Sequence, residues 1–400
     1  MITDSITIHA PAADVYAALV RPALIQQWFS DEAFLQFQAR VGGAYYLGWN
    51  LGYRVTGTFT ALEPNTRVAM TWRGDGEERE TQVEYSLTAV DGGTYVTITH
   101  NGHSDSERGK QEEANHRRGW EGVLEALKHL VENGTDLRFM RRPMLGIFLD
   151  EVTPARRAEV HLPDDVNGVW IVGTVENSGA RAAGLERGDV VVSIAGTPVN
   201  DFASIGAALK GKVGGDMVDV AYYRAGVRYE KPMQLTKRQP PAVPPTPAGL
   251  AAHLRDVNSR LMEEIAALTA GVPEELLARR PGADEWSVNE NLAHLIWTER
   301  IHQVDVWNAV SAGIGVEWLD NNPAHLTPTL AKYRTGAALL DALREELMAT
   351  AAQVEALPAD AAARATTFIG LGATLLAGEG HMRDHIEQMT RALEAVKATV

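Results

Sequence analysis

Near its end the sequence reads GHMRDHIEQM (residues 380–389), with His381 and His385 four apart in a stretch of helical character. Positions four apart on a helix differ by about 6 Å in rise and about 40° in azimuth, so the two imidazoles share a face. Leu375, Leu376, Ile386, Met389 and Leu393 give the same helix a buried side. His294 stands in NENLAHLIWTE among Leu292, Leu295 and Ile296, and on this pattern it also points inward. Three neutral imidazoles with one position left open are the usual catalytic zinc arrangement, and they also suit nickel, iron or manganese. The pair by itself is equally compatible with two polar residues on a wet helix face. Glu290, one turn before His294, is either a carboxylate that orients it or, more economically, the acidic partner of a capping box begun by Ser287. His302 reads as solvated or bundle-lining, and His253 and His325 have no metal context.

The sequence contains no cysteine, which removes disulfides, thiolate nucleophiles, iron–sulfur clusters and cysteine zinc sites together. Any metal must therefore sit on His, Asp or Glu. A formal charge of -15 opposes nucleic-acid binding, which needs Lys and Arg to neutralise phosphates. No apolar run reaches the roughly 18 residues of a membrane span, and MITDSITIHA lacks the basic start and apolar core of a signal peptide. A cytoplasmic protein is the expectation.

Four hundred residues exceed one ordinary core, and charge divides the chain into three. Residues 1–136 carry 11 basic and 19 acidic side chains, residues 137–238 carry 14 and 12, and residues 239–400 carry 12 and 21. The stretch QPPAVPPTPAG (239–249) holds five of the 18 prolines and has no hydrophobic period, so it reads as a linker. The other joint falls near ENGTDLRFMRRP (132–143), where a helical stripe of Trp120, Val123, Leu124, Leu127, Leu130 and Val131 gives way to short strands.

Residues 1–136 open with an alternating strand and a Pro-initiated helix. The strands FLQFQARV, YRVTGTFTAL, RVAMTWR, TQVEYSLTAV and TYVTITHNG follow, and one long helix ends the segment. PAADVYAALVRPALIQQWF and GWEGVLEALKHLVENG resemble the START-like (SRPBCC) superfamily, in the branch of activators of the heat-shock-protein-90 ATPase. The resemblance implies a helix-grip α/β sandwich whose sheet curls around the long helix and leaves a cavity for a small apolar or amphipathic ligand. His100, His103 and His116 are then either residues at the cavity mouth or solvated residues at strand ends.

In residues 137–238, AGLERGD, VVVSIAG and TPV followed by a short helix resemble a PDZ domain of the HtrA type, a β-barrel-like fold. MLGIFLDEV matches that family's carboxylate-binding loop, with Met144, Leu145, Gly146 and Ile147 in its places. The resemblance implies that successive backbone amides receive the C-terminus of a peptide or protein, which pairs as a strand beside Ile147 to Leu149. Its last side chain would enter a pocket between Ile147 and the helix carrying Ile205 and Leu209. No GNSGG-like nucleophile loop accompanies it, so proteolysis is not expected.

Residues 250–400 show four long helical stretches, beginning LAAHLRD, SVNENLAHL, TLAKYRTG and FIGLGATLL, expected as an up-down four-helix bundle. DEWSVNENLAHLIWTER followed by HMRDHIEQM resembles the DinB-like superfamily. That resemblance implies a divalent metal, zinc foremost, on His294, His381 and His385, and a homodimer as one mode of assembly. It further implies a metal-dependent transferase that uses small thiols, or a hydrolase; a cation lowers the pKa of a bound thiol or water. No catalytic side chain is assigned. The whole is expected as a multidomain α+β protein, either carrying such an activity or serving as a non-catalytic ligand- and peptide-binding adaptor.

Overall fold

The computed structural model describes residues 1–32, 35–283, 285–311 and 323–398. The N-terminal segment is built from β1 (Ile2–Ile8), α1 (Ala12–Val20), α2 (Pro22–Ile25), β2 (Gln36–Phe37), β3 (Ala44–Gly48), β4 (Arg54–Glu63), β5 (Arg67–Gly74), β6 (Thr81–Val90), β7 (Gly93–Asn101), α3 (Glu107–Trp120) and α4 (Val123–Asn133). Its seven strands form one antiparallel sheet in the order β1-β7-β6-β5-β4-β3-β2. Alternation along β7 turns Thr94, Val96, Ile98 and His100 inward, as a period of two requires. Helices α1 and α4 lie against the sheet, and Leu19, Trp28, Phe59, Trp72, Trp120 and Leu127 belong to the shared core.

Two details differ from the sequence expectation. FLQFQARV contributes only the short β2, while AYYLG, which carries weak strand signals, forms β3. The expected single last helix is two, because Gly122 takes φ 76° between Trp120 and Val123. That left-handed backbone suits glycine and ends one helix before the next begins.

Asp136–Pro240 forms a compact unit of its own. It contains α5 (Leu137–Arg141), β8 (Ile147–Glu151), α6 (Pro154–Glu159), β9 (Val169–Thr174), α7 (Gly179–Ala182), β10 (Val190–Ile194), β11 (Thr197–Pro198), α8 (Phe202–Ala208), β12 (Met217–Arg224) and β13 (Val227–Gln234). The strands run β13-β12-β10-β9-β8, with β11 beside β10, so β8 lies at the sheet edge. Directly before β10, the fully buried Asp189 is paired in two-pronged fashion with Arg224, at 2.6 and 2.7 Å. This geometry gives charge-assisted bonds that compensate the carboxylate for lost water.

The remaining chain is helical: α9 (Pro247–Thr269), α10 (Glu274–Leu277), α11 (Val288–Ser311), α12 (Pro323–Lys332), α13 (Gly336–Glu355), α14 (Ala359–Ala363) and α15 (Ala365–Lys397). The four long helices α9, α11, α13 and α15 pack on one another around Leu261, Leu292, Ile296, Leu343, Met389 and Leu393. The third expected helix is interrupted after Lys332, and Thr335 restarts it as an N-cap accepting from the Ala338 amide. Helix α15 also meets α4, and this helical segment shares one compact unit with Met1–Thr135. No helix among the described residues is long and apolar enough to cross a membrane.

Candidate metal centre and peptide groove

Helix α11 presents Asn291 and His294 one turn apart, and α15 presents His381 and His385 at the same spacing plus one. The packing of α11 on α15 brings the three imidazoles together. His381 Nε2 lies 3.2 Å from His294 Nε2 and 3.1 Å from His385 Nε2, and one nitrogen from each ring falls within 4.8 Å of the others. His294 is buried and the other two are half-buried. Trp286 covers the cluster, its ring 5.1 Å from that of His294 and stacked on that of His385 at 6.2 Å.

The proton positions follow from the neighbours. Asn291 Nδ2 donates to Ser287 O at 2.9 Å, which turns Asn291 Oδ1 towards His385 Nδ1, 2.7 Å away. That oxygen can only accept, so His385 carries its proton on Nδ1 and directs the Nε2 lone pair at His381. Between neutral rings, one proton cannot satisfy both Nε2 contacts of His381; whichever nitrogen holds it, one contact stays unfavourable. The rings are indeed held neutral. Burial, with the charges of His385 and His381, lowers His294 to about 3; burial and His381 lower His385 to about 4. Burial also lowers His381. A divalent cation would relieve the conflict, since tetrahedral ligation at 2.0–2.1 Å places nitrogens about 3.3 Å apart. The donor set therefore fits a metal, and Asn291 is the group that would orient one of its ligands.

Glu290 does not touch His294. It receives Arg280 on both oxygens and the Ser287 amide and hydroxyl at 2.9 Å, while the Glu290 amide donates to Ser287 Oγ at 3.2 Å. It is a capping box clamped by an arginine. His302 is buried, and its Nδ1 meets Glu299 Oε1 at 3.0 Å; Glu299 Oε2 accepts from Thr350 at 2.9 Å. His325, for which the sequence offered no metal context, is close enough to His294 for its charge to weigh on that ring's protonation. Asn291 was legible as the residue three before His294 on the same face; His325 was not, because its proximity depends on how α12 returns to α11.

A second triad lies in the sheet domain. His100, His103 and His116 also bring one nitrogen each within 4.8 Å of one another. His100 and His116 are buried rather than solvated. Trp120 Nε1, a donor only, donates to His100 Nδ1 at 3.0 Å, and His100 Nε2 meets Thr81 Oγ1 at 2.7 Å; the Thr81 hydroxyl donates onward to Trp72 O. His116 Nε2 meets Glu77 Oε1 at 2.7 Å, and its Nδ1 meets His103 Nε2 at 2.8 Å. Burial, helped by the neighbouring histidines, lowers His100 to about 2. Against a burial that would raise it, hydrogen bonds from His116, Tyr53 and the Gly74 amide bring Glu77 down to about 2. The aromatic interior beside this network, including Trp28, Phe29, Leu47, Trp72 and Tyr85, encloses a cavity of only about 10 Å³. That is room for about one water, so a larger ligand requires these rings to move.

In the Asp136–Pro240 unit, Met144 is anchored by two backbone bonds to Thr236, at 3.0 and 2.8 Å. Leu145 enters the core, whereas Ile147, Leu149, Ile205 and Leu209 pack half-buried at its margin. Gly146 has φ 73°, and a Cβ there would stand 2.2 Å from that of Ser178, so only glycine keeps this turn. The Leu145 and Gly146 amides have no hydrogen-bond partner among the described residues, beside the open edge of β8. Ile147, Leu149, Ile205 and Leu209 thus border one core.

Three family models match successive parts of the chain. Residues 9–132 match activator of Hsp90 ATPase homolog 1-like protein, residues 143–231 the PDZ domain, and residues 259–389 the DinB superfamily. The chain carries these three domains in that order, as a mixed α+β protein. A serine protease Do-like HtrA from Lactobacillus helveticus is 31% identical over 108 residues, 26% of this chain and 25% of the relative. The chain thus spans about a quarter of the length of the curated relatives it matches. Among solved structures, the Aha1 dimer from Colwellia psychrerythraea is similar at 25% identity, over 33% of this chain and 95% of that one, with a TM-score of 0.29. A protein from Chromobacterium violaceum is 27% identical, over 33% and 96%, with the same TM-score of 0.29.

Proposed function

We propose that the DinB-like domain binds a divalent metal, zinc foremost, on His294, His381 and His385, and uses it in a transferase or hydrolase reaction on a small organic substrate. The observation that carries this reading is the convergence of three neutral imidazoles, one with its tautomer set by Asn291. The bound cation supplies Lewis acidity and lowers the pKa of a thiol or water ligand. The chain's own residues do the rest: Asn291 fixes the His385 lone pair, and Trp286 shields the rings from solvent on one side. Metal content by plasma mass spectrometry tests the proposal on the full chain. About one metal per chain, lost in the His381→Ala, His385→Ala double variant, supports it; protein that stays metal-free after incubation with zinc, nickel and manganese refutes it.

The unpartnered Leu145 and Gly146 amides favour a second role alongside the first, capture of a peptide C-terminus on β8 between Ile147, Leu149, Ile205 and Leu209. Fluorescence anisotropy with C-terminal peptides and their amidated forms tests it. Equal affinity for both forms removes the carboxylate from the account.

A further inference from the structure

Trp297 follows His294 by three residues on α11, so it stands about 60° round the helix and about 4.5 Å along it. His325 of α12 stacks on its ring, with centroids 4.1 Å apart and planes 21° from parallel. Both rings are half-buried, yet Trp297 Nε1 and His325 Nε2 are themselves buried and have no hydrogen-bond partner among the described residues. An indole N–H ordinarily finds an acceptor when buried, and an orphaned polar atom destabilises the fold. Two such atoms on stacked rings, next to the three-histidine cluster, are hard to explain by packing, because either ring could be a phenyl at no cost in hydrogen bonds.

The neighbouring charges narrow what they would recognise. Glu299 is saturated by His302 and Thr350. Arg280 is committed to Glu290, and Arg300 to Glu346. The donors beside the cluster are therefore uncharged, and Trp286 supplies an aromatic wall. A phosphate would want a guanidinium or ammonium; an uncharged carbonyl-type oxygen on an apolar body would not.

We propose that Trp297 Nε1 and His325 Nε2 form a hydrogen-bonding subsite for the carbonyl-type oxygen of a small organic ligand seated at the three-histidine centre. They are positioning and specificity residues, distinct from the metal-ligating set, and the proposal rests on the metal-binding reading above. Trp297 donates from Nε1, and His325 donates from Nε2 to the same oxygen or to its neighbour.

The test uses the full chain loaded with Co²⁺, whose visible absorption reports occupancy of the centre without any assay of turnover. Acetohydroxamate, which offers a carbonyl oxygen, and 1-methylimidazole, which offers none, are titrated into wild type, Trp297→Phe and His325→Phe. The expected result is an unchanged cobalt spectrum before addition, acetohydroxamate binding about 10-fold weaker in each variant, and unchanged 1-methylimidazole binding. Equal acetohydroxamate affinity with an intact cobalt spectrum overturns the subsite, and so does an equal loss for both probes. If one variant loses cobalt, the other reads the same question from the opposite helix; loss in both assigns the pair a structural role and overturns the subsite. No cobalt spectrum in wild type refutes the metal centre itself, an outcome distinct from all of these.

Discussion

The two histidine triads have the same membership and opposite wiring. In the sheet domain, the hydrogen bonds run in series from His103 through His116 to Glu77, and His100 is closed off by Trp120 and Thr81. In the helical domain, three Nε2 atoms face one another, and the one fixed proton points outward to Asn291. A count of histidines within reach of a common point does not separate the two. What separates them is where each ring spends its second nitrogen. His100, both of whose nitrogens are taken by Trp120 and Thr81, is part of the framework; His385, with Nδ1 on Asn291 and Nε2 pointed at His381, is a ligand in waiting.

That contrast is open to attack at several points. The largest effect is expected from His116→Ala, which leaves the buried Glu77 carboxylate without its imidazole. It should cost about 3 kcal/mol, whereas His381→Ala in metal-free protein should cost less than about 1 kcal/mol, because it removes an unfavourable contact. Urea unfolding of both variants measures this, and similar losses would erase the distinction. Asn291→Ala should weaken metal binding 10–100-fold, about 1.4–2.7 kcal/mol, read by competition with a chelator, while His103→Ala leaves metal affinity unchanged. A third test uses pH. His100 is neutral in the fold down to about 2 against an ordinary value of 6.5, so below pH 6.5 the unfolded chain takes up a proton that the folded chain refuses. Stability should fall by about 1.4 kcal/mol per pH unit on this account. Glu77, with a folded value of about 2 against 4.5, adds its own loss only between pH 4.5 and 2. His100→Leu should remove its share of the fall from pH 6.5 down to about 2 and leave the Glu77 share below pH 4.5. A small effect is expected of Glu290→Gln, a loss of about 1 kcal/mol at the start of α11 with no change in metal affinity; a change in affinity would restore Glu290 as a ligand-orienting group.

Much of this was legible in the sequence, and for identifiable reasons. His381 and His385 share a face because a helix has a fixed period, and the flanking leucines show which side is buried. Gly146 and the Gly184 to Gly188 turn could be read because few residues tolerate their backbones. The break at Gly122 was not read, because the stripe from Trp120 to Val131 keeps its period across a two-residue interruption. The inward aim of His100 follows from alternation with Val96 and Ile98, yet its place at a strand end suggested solvent. His325, Trp297 and the ring-filled interior of the sheet domain lay beyond reach, since each depends on which segment of chain arrives opposite, and a linear pattern carries no such information.

Gly134 closes α4 in a left-handed conformation, and a Cβ there would stand 2.3 Å from the Ala365 carbonyl at the start of α15. These contacting positions are made far apart in time. At 5–20 residues per second, the ribosome needs roughly 10–50 s to pass from one to the other. Through that interval the nascent sheet domain presents an uncovered helix end, while the whole of Asp136–Pro240 is synthesised and can fold in between. The order of synthesis therefore leaves this helix end uncovered until the start of α15 has been made.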